Sequence, residues 1–159
     1  MGTTYYDTEE RFFSGLQCTL RVRKENKRRV CTLKIPSPDG ARLEFECDCQ
    51  NLSHGIAQLS AMDIPKNIKP HLQKPLIPVC GADFTRIACD ILWEGSLLEL
   101  ALDAGFLLGR TQKVPLCEVE VELKDGTREA AQSFAGVLQA TYHLQPQPLS
   151  KFARAKEVG

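Results

Sequence analysis

The 159-residue chain has no apolar run near the ~20 residues that a helix needs to cross a bilayer, and its first residues show no signal-peptide core. Neither a membrane partner nor a secretory leader is therefore expected. The chain also has no excess of charge: 20 Lys+Arg stand against 20 Asp+Glu, which argues against a protein that grips a polyanion by bulk charge. Internal repeats and low-complexity linkers are missing too, so residues 1–159 read as one domain, long enough to bury roughly two-thirds of its extended surface. Zinc chemistry lacks its second half. Cys47 and Cys49 form a C-x-C pair, but no C-x2-C or H-x3-H partner follows, and His54, His71 and His143 are scattered. The seven cysteines, odd in number and without framework spacing, read as reduced thiols acting as small hydrophobes, which points to a cytoplasmic protein. The basic run "RVRKENKRR" has no interleaved aromatics on which bases could stack, so it reads as a hairpin turn and nucleic acid is not expected. Trp93 and the pair Phe12 and Phe13 read as packing residues.

What remains is rich in period-two alternation. Leu16 to Arg23 and Val30 to Ile35 alternate on either side of the polar "KENKRR", and "PSPDG" turns the chain into a third strand, "ARLEFECDC". "LSHGIAQLSAM" has helical spacing, and the Pro-punctuated "IPKNIKPHLQKPLIP" reads as short helices and loops. "DFTRIACDILWEG" and "SLLELALDAGFL" follow as strands joined at a Gly-Ser turn, and "LCEVEVELKDG" alternates again. "DGTREAAQSFAGVLQATYHL" predicts an amphipathic helix, capped by Thr127 or Asp125 and carrying Ala131, Phe134, Val137 and Leu138 on its apolar stripe. "QPQP" ends it, and "LSKFARA" predicts a short terminal helix or turn. The sum is an α+β arrangement: a mostly antiparallel sheet of about six or more strands with helices outside.

Side chains alternate across a strand, so parity assigns each charge to a face. Arg21 and Arg23 lie opposite Cys18, Leu20 and Val22; Lys34 lies opposite Cys31, Leu33 and Ile35; Arg42, Glu44 and Glu46 lie opposite Leu43, Phe45, Cys47 and Cys49. Arg86 lies opposite Ile87 and Cys89, and Glu99 and Asp103 opposite Leu98, Leu100 and Leu102. Glu118, Glu120 and Glu122 crowd one side of a single strand. Like charges two residues apart on a strand sit about 7 Å from each other, which at an effective dielectric near 20 costs about 2 kcal/mol per pair. Basic strands opposite, if the sheet curls into a barrel, or a divalent ion would relieve that repulsion. An open sheet with its charged side in water would produce the same alternation. A carboxylate wall beside a Lys/Arg wall suits phosphates bridged by Mg2+ or Mn2+.

The stretch "YYDTEERFFSGLQCTLRVRKENKRRVCTLK" resembles the early strands of the CYTH superfamily, the triphosphate tunnel metalloenzymes, with their Y-Y-D/E-T, L-R-x-R and T-x-K patterns. "ARLEFE" is similar to the family's R-x-E strand, "DFTR" to its arginine-bearing strand and "LELALDAG" to its L-D-x-G strand. "LCEVEVELKDG" resembles the E-x-E-x-E strand and "LSKFARA" the L-S-K-x-A-R segment of the bacterial inorganic triphosphatase branch. The resemblance implies an antiparallel β-barrel or tunnel of eight strands with helices packed outside. It implies triphosphate binding by Arg21, Arg23, Lys34, Arg42, Arg86, Lys151 and Arg154. It also implies ion binding by Glu118 and Glu120, with Glu44, Glu99, Asp103 and Glu122 in the same or an outer shell. The ion would be Mg2+ or Mn2+, and the partner a triphosphate-containing small molecule or polyphosphate. The implied activity is metal-dependent triphosphate hydrolysis; the alternatives are a non-catalytic triphosphate- or polyphosphate-binding module, adenylate cyclase and thiamine-triphosphatase. Two positions depart from the pattern. Ala88 stands where relatives often carry a further basic residue, and the family's E-x-E-x-K strand is not among these residues. The expectation is thus a first strand that is missing or supplied by another chain, with open barrel edges available for a homodimer.

Overall fold

Period-two alternation becomes seven strands in the computed structural model, which describes all residues Met1–Gly159. The order is β1 (Gly2–Thr8), α1 (Phe12–Gly15), β2 (Thr19–Glu25), β3 (Arg28–Pro36), β4 (Arg42–Asp48), α2 (Leu52–Ser60), a 3-10 turn (Lys69–Gln73), β5 (Leu76–Trp93), β6 (Ser96–Leu108), β7 (Lys113–Asp125), α3 (Arg128–Tyr142) and α4 (Lys151–Ala155). The strands hydrogen-bond in the order β4-β3-β2-β1-β5-β6-β7, and the pairings β4–β3, β3–β2, β2–β1 and β1–β5 are antiparallel. This is the α+β class that the alternation predicts. No helix is long and apolar enough to cross a membrane.

Element ends differ from the sequence reading. The first hairpin turns on Asn26 and Lys27 alone, because Glu25 pairs with Arg28 and Asn26 takes the left-handed conformation. The second turns on Glu94 and Gly95, both at positive φ, one residue earlier than the expected Gly-Ser turn. β5 starts at Leu76, inside the segment read as loops, and reaches 18 residues. Pro78 interrupts it only at a register shift beside Tyr5 and Tyr6 of β1, where a missing N–H is tolerated.

Two compact units divide the chain. The first holds Met1–Asp83, Leu107–Val114 and Lys151–Gly159; the second holds Phe84–Phe106 and Pro115–Ser150. In the first, the apolar parity of β2 and β3 is buried as predicted: Cys18, Leu20, Cys31, Leu33 and Ile35 pack with Phe13 and with Ile56 and Leu59 of α2. Asn51 caps α2 by accepting the His54 N–H at 2.9 Å. Gly55 lets that helix lie close on β3, since a Cβ there would meet the Cys31 Cβ at 2.6 Å. Cys47 donates to the Gly55 carbonyl at 3.6 Å. The Y-Y-D-T stretch forms the end of β1 and the turn into α1. Buried Asp7 accepts N–H groups from Thr8, Phe13 and Ser14 at 2.8, 2.9 and 3.0 Å, and Thr8 accepts from Phe12 at 3.1 Å. A helix of four residues that starts from Arg11 in the left-handed conformation has no cap of its own, and Asp7 supplies one from outside.

Burial pushes the Cys31 thiol up to about 12 and the Cys80 thiol up to about 11. The unfolded chain ionises both near their ordinary value while the folded chain keeps the protons, so stability is full at neutral pH and falls as pH rises above about 8.5. Lys34, held below its ordinary value first by burial and then by Arg21, contributes with the opposite sign. Urea midpoints from pH 7.5 to 10.5 should therefore fall less steeply for Cys31→Ala than for the wild type. Equal slopes would show that Cys31 ionises alike in both states.

In the second unit Thr127, not Asp125, caps α3, accepting the Ala130 N–H at 3.2 Å. The helix buries Ala130 and Phe134, while Val137 of the expected stripe stays exposed. Phe134 packs on Trp93, with ring centroids 5.2 Å apart, and Leu98 is fully buried. Away from that end the apolar parity is not covered. Ile87 is 69% exposed, and Cys89, Leu102, Phe106 and Cys117 are also exposed. Alternation fixes which side chains share a face; it does not fix how far one helix of limited length extends over them.

Candidate functional site

In the first unit the register sets cations in cross-strand rows. Tyr5, Arg21, Thr32 and Glu46 lie side by side across β1 to β4, and Thr3, Arg23, Val30 and Asp48 form the next row. Lys34 and Glu44 follow with Thr19. Directly opposed residues in a sheet share a face, so Arg21 and Arg23 of β2 and Lys34 of β3 line one side of two adjacent strands. Their neighbours differ in what they leave available. Arg23 donates to Thr3 Oγ1 at 3.2 Å and pairs with Glu25 at 3.7 Å; Lys34 pairs with Glu44 at 3.6 Å; Thr32 donates to Glu46 at 3.1 Å. Arg21 Nε is buried with no hydrogen-bond partner. An orphaned guanidinium donor costs free energy, and an acceptor arriving there would recover it. A small cavity of about 50 Å³ lies against this atom's residue, lined by Arg21, Arg23, Glu25, Arg28, Thr32 and Glu46 among others.

Arg42, expected on this wall, is exposed at the end of β4, where it pairs in register with Pro36. Lys151 is buried and Arg154 half-buried on α4, and Phe152 between them packs on Tyr5, its ring centroid 5.0 Å away. Tyr5 is the register partner of Arg21, so α4 stands beside the same row.

The second unit gathers carboxylates. One oxygen from each of Asp103, Glu118 and Glu120 lies within 4.8 Å of the others. Hard divalent ions take oxygen ligands at about 2.0–2.6 Å, so ligand oxygens around one ion lie up to roughly 5 Å apart, and the three carboxylates fit Mg2+ or Mn2+ in both spacing and chemistry. Arg86 is built into the same cluster. Its Nε and Nη2 donate to the two oxygens of Asp103, each at 2.7 Å, and Nη2 donates to Glu120 at 2.7 Å. The Asp103 side chain has no exposure, and that of Arg86 is 17% exposed. The hydrogen bond to Asp103, with the Glu120 charge, holds the Arg86 proton above its ordinary affinity against burial. The Phe84 ring lies 5.7 Å from the guanidinium carbon.

Not all carboxylates of the sequence reading join that cluster. Glu99 and Glu122 are drawn together elsewhere by Lys124, at 3.5 and 3.6 Å, and Glu44 belongs to the first unit. Lys124 and Thr32 are polar groups that alternation alone does not single out, while Glu46, expected on the charged face, is the acceptor for Thr32. Lys124 had a signal, since it continues the even-numbered parity of Glu118, Glu120 and Glu122.

The CYTH domain model matches residues 2–155. Over its whole length the chain is 27% identical to an inorganic triphosphatase of Haemophilus influenzae, of which it spans 46%, about half the length of that relative. Two solved structures share the fold. A candidate adenylate cyclase from Bacillus halodurans superposes with a TM-score of 0.61 at 21% identity, over 96% of this chain and 80% of that one. A Hippeastrum protein, a candidate adenylyl cyclase with a dominant triphosphatase activity, superposes at 0.62 with 19% identity, over 98% and 80%. A domain match across nearly every residue, with the motifs in order and the fold in common, places this chain in the CYTH family.

Proposed function

We propose that the chain acts on a linear triphosphate with the help of a divalent ion, hydrolysing it as the name of its Haemophilus relative suggests. The observation that carries this reading is the convergence of Asp103, Glu118 and Glu120 oxygens within 4.8 Å, a spacing and an all-oxygen donor set that suit a hard divalent ion. Asp103, Glu118 and Glu120 would hold Mg2+ or Mn2+. When bound, that ion supplies Lewis-acid neutralisation of charge on phosphate oxygens. Arg21, Arg23 and Lys34 bind phosphate oxygens as charge-assisted donors, and the fixed strands under them keep the phosphates from reorienting. Arg21 does most of this, because its Nε already lies buried without an acceptor. Lys151 and Arg154 are the further cations that α4 contributes. Phosphoryl transfer asks little else of the protein than this placement of positive charge.

Phosphate release from inorganic triphosphate, ATP and thiamine triphosphate, with and without Mg2+ or Mn2+, tests the reading. Ion-dependent release, fastest from inorganic triphosphate, is expected; tight binding without release would make the chain a binding module instead. Arg21→Ala should weaken triphosphate affinity by about tenfold, the loss of one charge-assisted hydrogen bond, in a calorimetric titration. Unchanged affinity would remove Arg21 from the site.

A further inference from the structure

Arg86 raises a question that the ion-binding reading leaves open. The Asp103 carboxylate is fully buried and needs a cation, and Arg86 provides one in fork geometry, occupying both of its oxygens. The same guanidinium reaches Glu120. Two of the three carboxylates that would hold an ion thus already share one positive side chain. A divalent ion landing on these oxygens would stand beside that guanidinium at little more than a contact distance, and like charges there repel strongly. Arg86 cannot serve both arrangements equally well.

We propose that Arg86 is a resident counter-ion which the divalent ion displaces, and that the freed guanidinium then turns to the phosphate arriving with the ion. Arg86 is accordingly a positioning residue: without the ion it holds Asp103 and Glu120 aligned by hydrogen bonds, and with the ion it becomes a phosphate donor. Its partial exposure and long flexible stem give the head room to leave. This exchange makes ion and anion binding mutually favourable, since each removes an obstacle to the other. The inference rests on the metal-binding reading above, yet the two can fail separately.

Mn2+ affinity of Arg86→Gln and Arg86→Lys, measured by calorimetry without any phosphate, separates displacement from a fixed structural strut. Displacement predicts that Arg86→Gln, freed of the competing charge, binds Mn2+ about tenfold tighter, within the usual range of coupling between sites, while Arg86→Lys does not tighten. A strut predicts the reverse sign, because loss of the fork would disorder Asp103 and weaken binding. Equal or weaker binding by folded Arg86→Gln overturns the exchange and leaves the metal reading intact; no Mn2+ binding by wild type or variant overturns both. The wild-type chain gives a second readout that needs no variant to fold: the Arg86 Nε–H resonance in a nitrogen-15 spectrum should shift on saturation with Mg2+. A resonance that stays in place at saturation also overturns the exchange.

Discussion

Replacing Glu118 and Glu120 together by glutamine is expected to weaken Mn2+ binding by at least ~100-fold and to abolish ion-dependent phosphate release. The glutamines keep the shape and the oxygen but remove two of three negative charges from the cluster formed with Asp103. Even residues that only hydrogen-bond to a metal's ligands cost 10–100-fold in affinity when lost, so removal of two ligand charges should cost no less. The matched control is Glu99→Gln with Glu122→Gln. Those carboxylates are engaged by Lys124, and their loss should change ion affinity by less than about threefold. The pair of experiments draws the boundary of the site. If the control pair costs as much as the first, the ion sits lower on β7, toward Glu122. If neither pair matters, the carboxylates are not ligands.

The other large effect is on stability. Leu33 lies on β3 in the middle of the first unit's core, fully buried among Phe13, Leu20, Ile56, Leu59 and their neighbours. Leu33→Ala should destabilise the fold by about 3 kcal/mol, combining lost transfer energy with the cavity left behind. Ile87→Ala removes a side chain of similar size and should cost under about 1 kcal/mol, because Ile87 remains 69% exposed in the folded chain. Urea denaturation of the two variants measures the difference. Similar costs would mean that something covers Ile87 in solution.

Much of this was legible before any coordinates. Alternation assigned Arg21, Arg23 and Lys34 to one face and Leu20, Cys31 and Leu33 to the other, because the side-chain period of a strand is fixed by its backbone. It also set Asp103, Glu118 and Glu120 on faces that the fold brings together. Which carboxylates meet could not be read that way. Glu122 has the same parity as Glu120, yet Lys124 engages it, and only cross-strand register distinguishes the two. The bond from Arg86 to Asp103 was illegible for the same reason: 17 positions separate the pair, and no local pattern fixes which residue of β6 stands against Arg86. Alternation predicts a strand only from Asp83, because proline at position 78 is normally evidence against one, whereas β5 begins at Leu76. Asp7 is a different case. Its motif was recognised as a family signature, while its reason, three backbone N–H groups at the entry to α1, lies in a turn that periodicity does not address.

The cysteines divide by accessibility, and that division determines how the protein can be watched. Cys18, Cys31 and Cys80 are shut away and Cys47 and Cys49 half-shielded, whereas Cys89 and Cys117 stand in solvent. A maleimide dye or nitroxide added briefly at neutral pH will therefore modify those two first. Cys117 is the residue before Glu118, so with Cys89 changed to serine a single tag would report from beside the carboxylates without opening the interior.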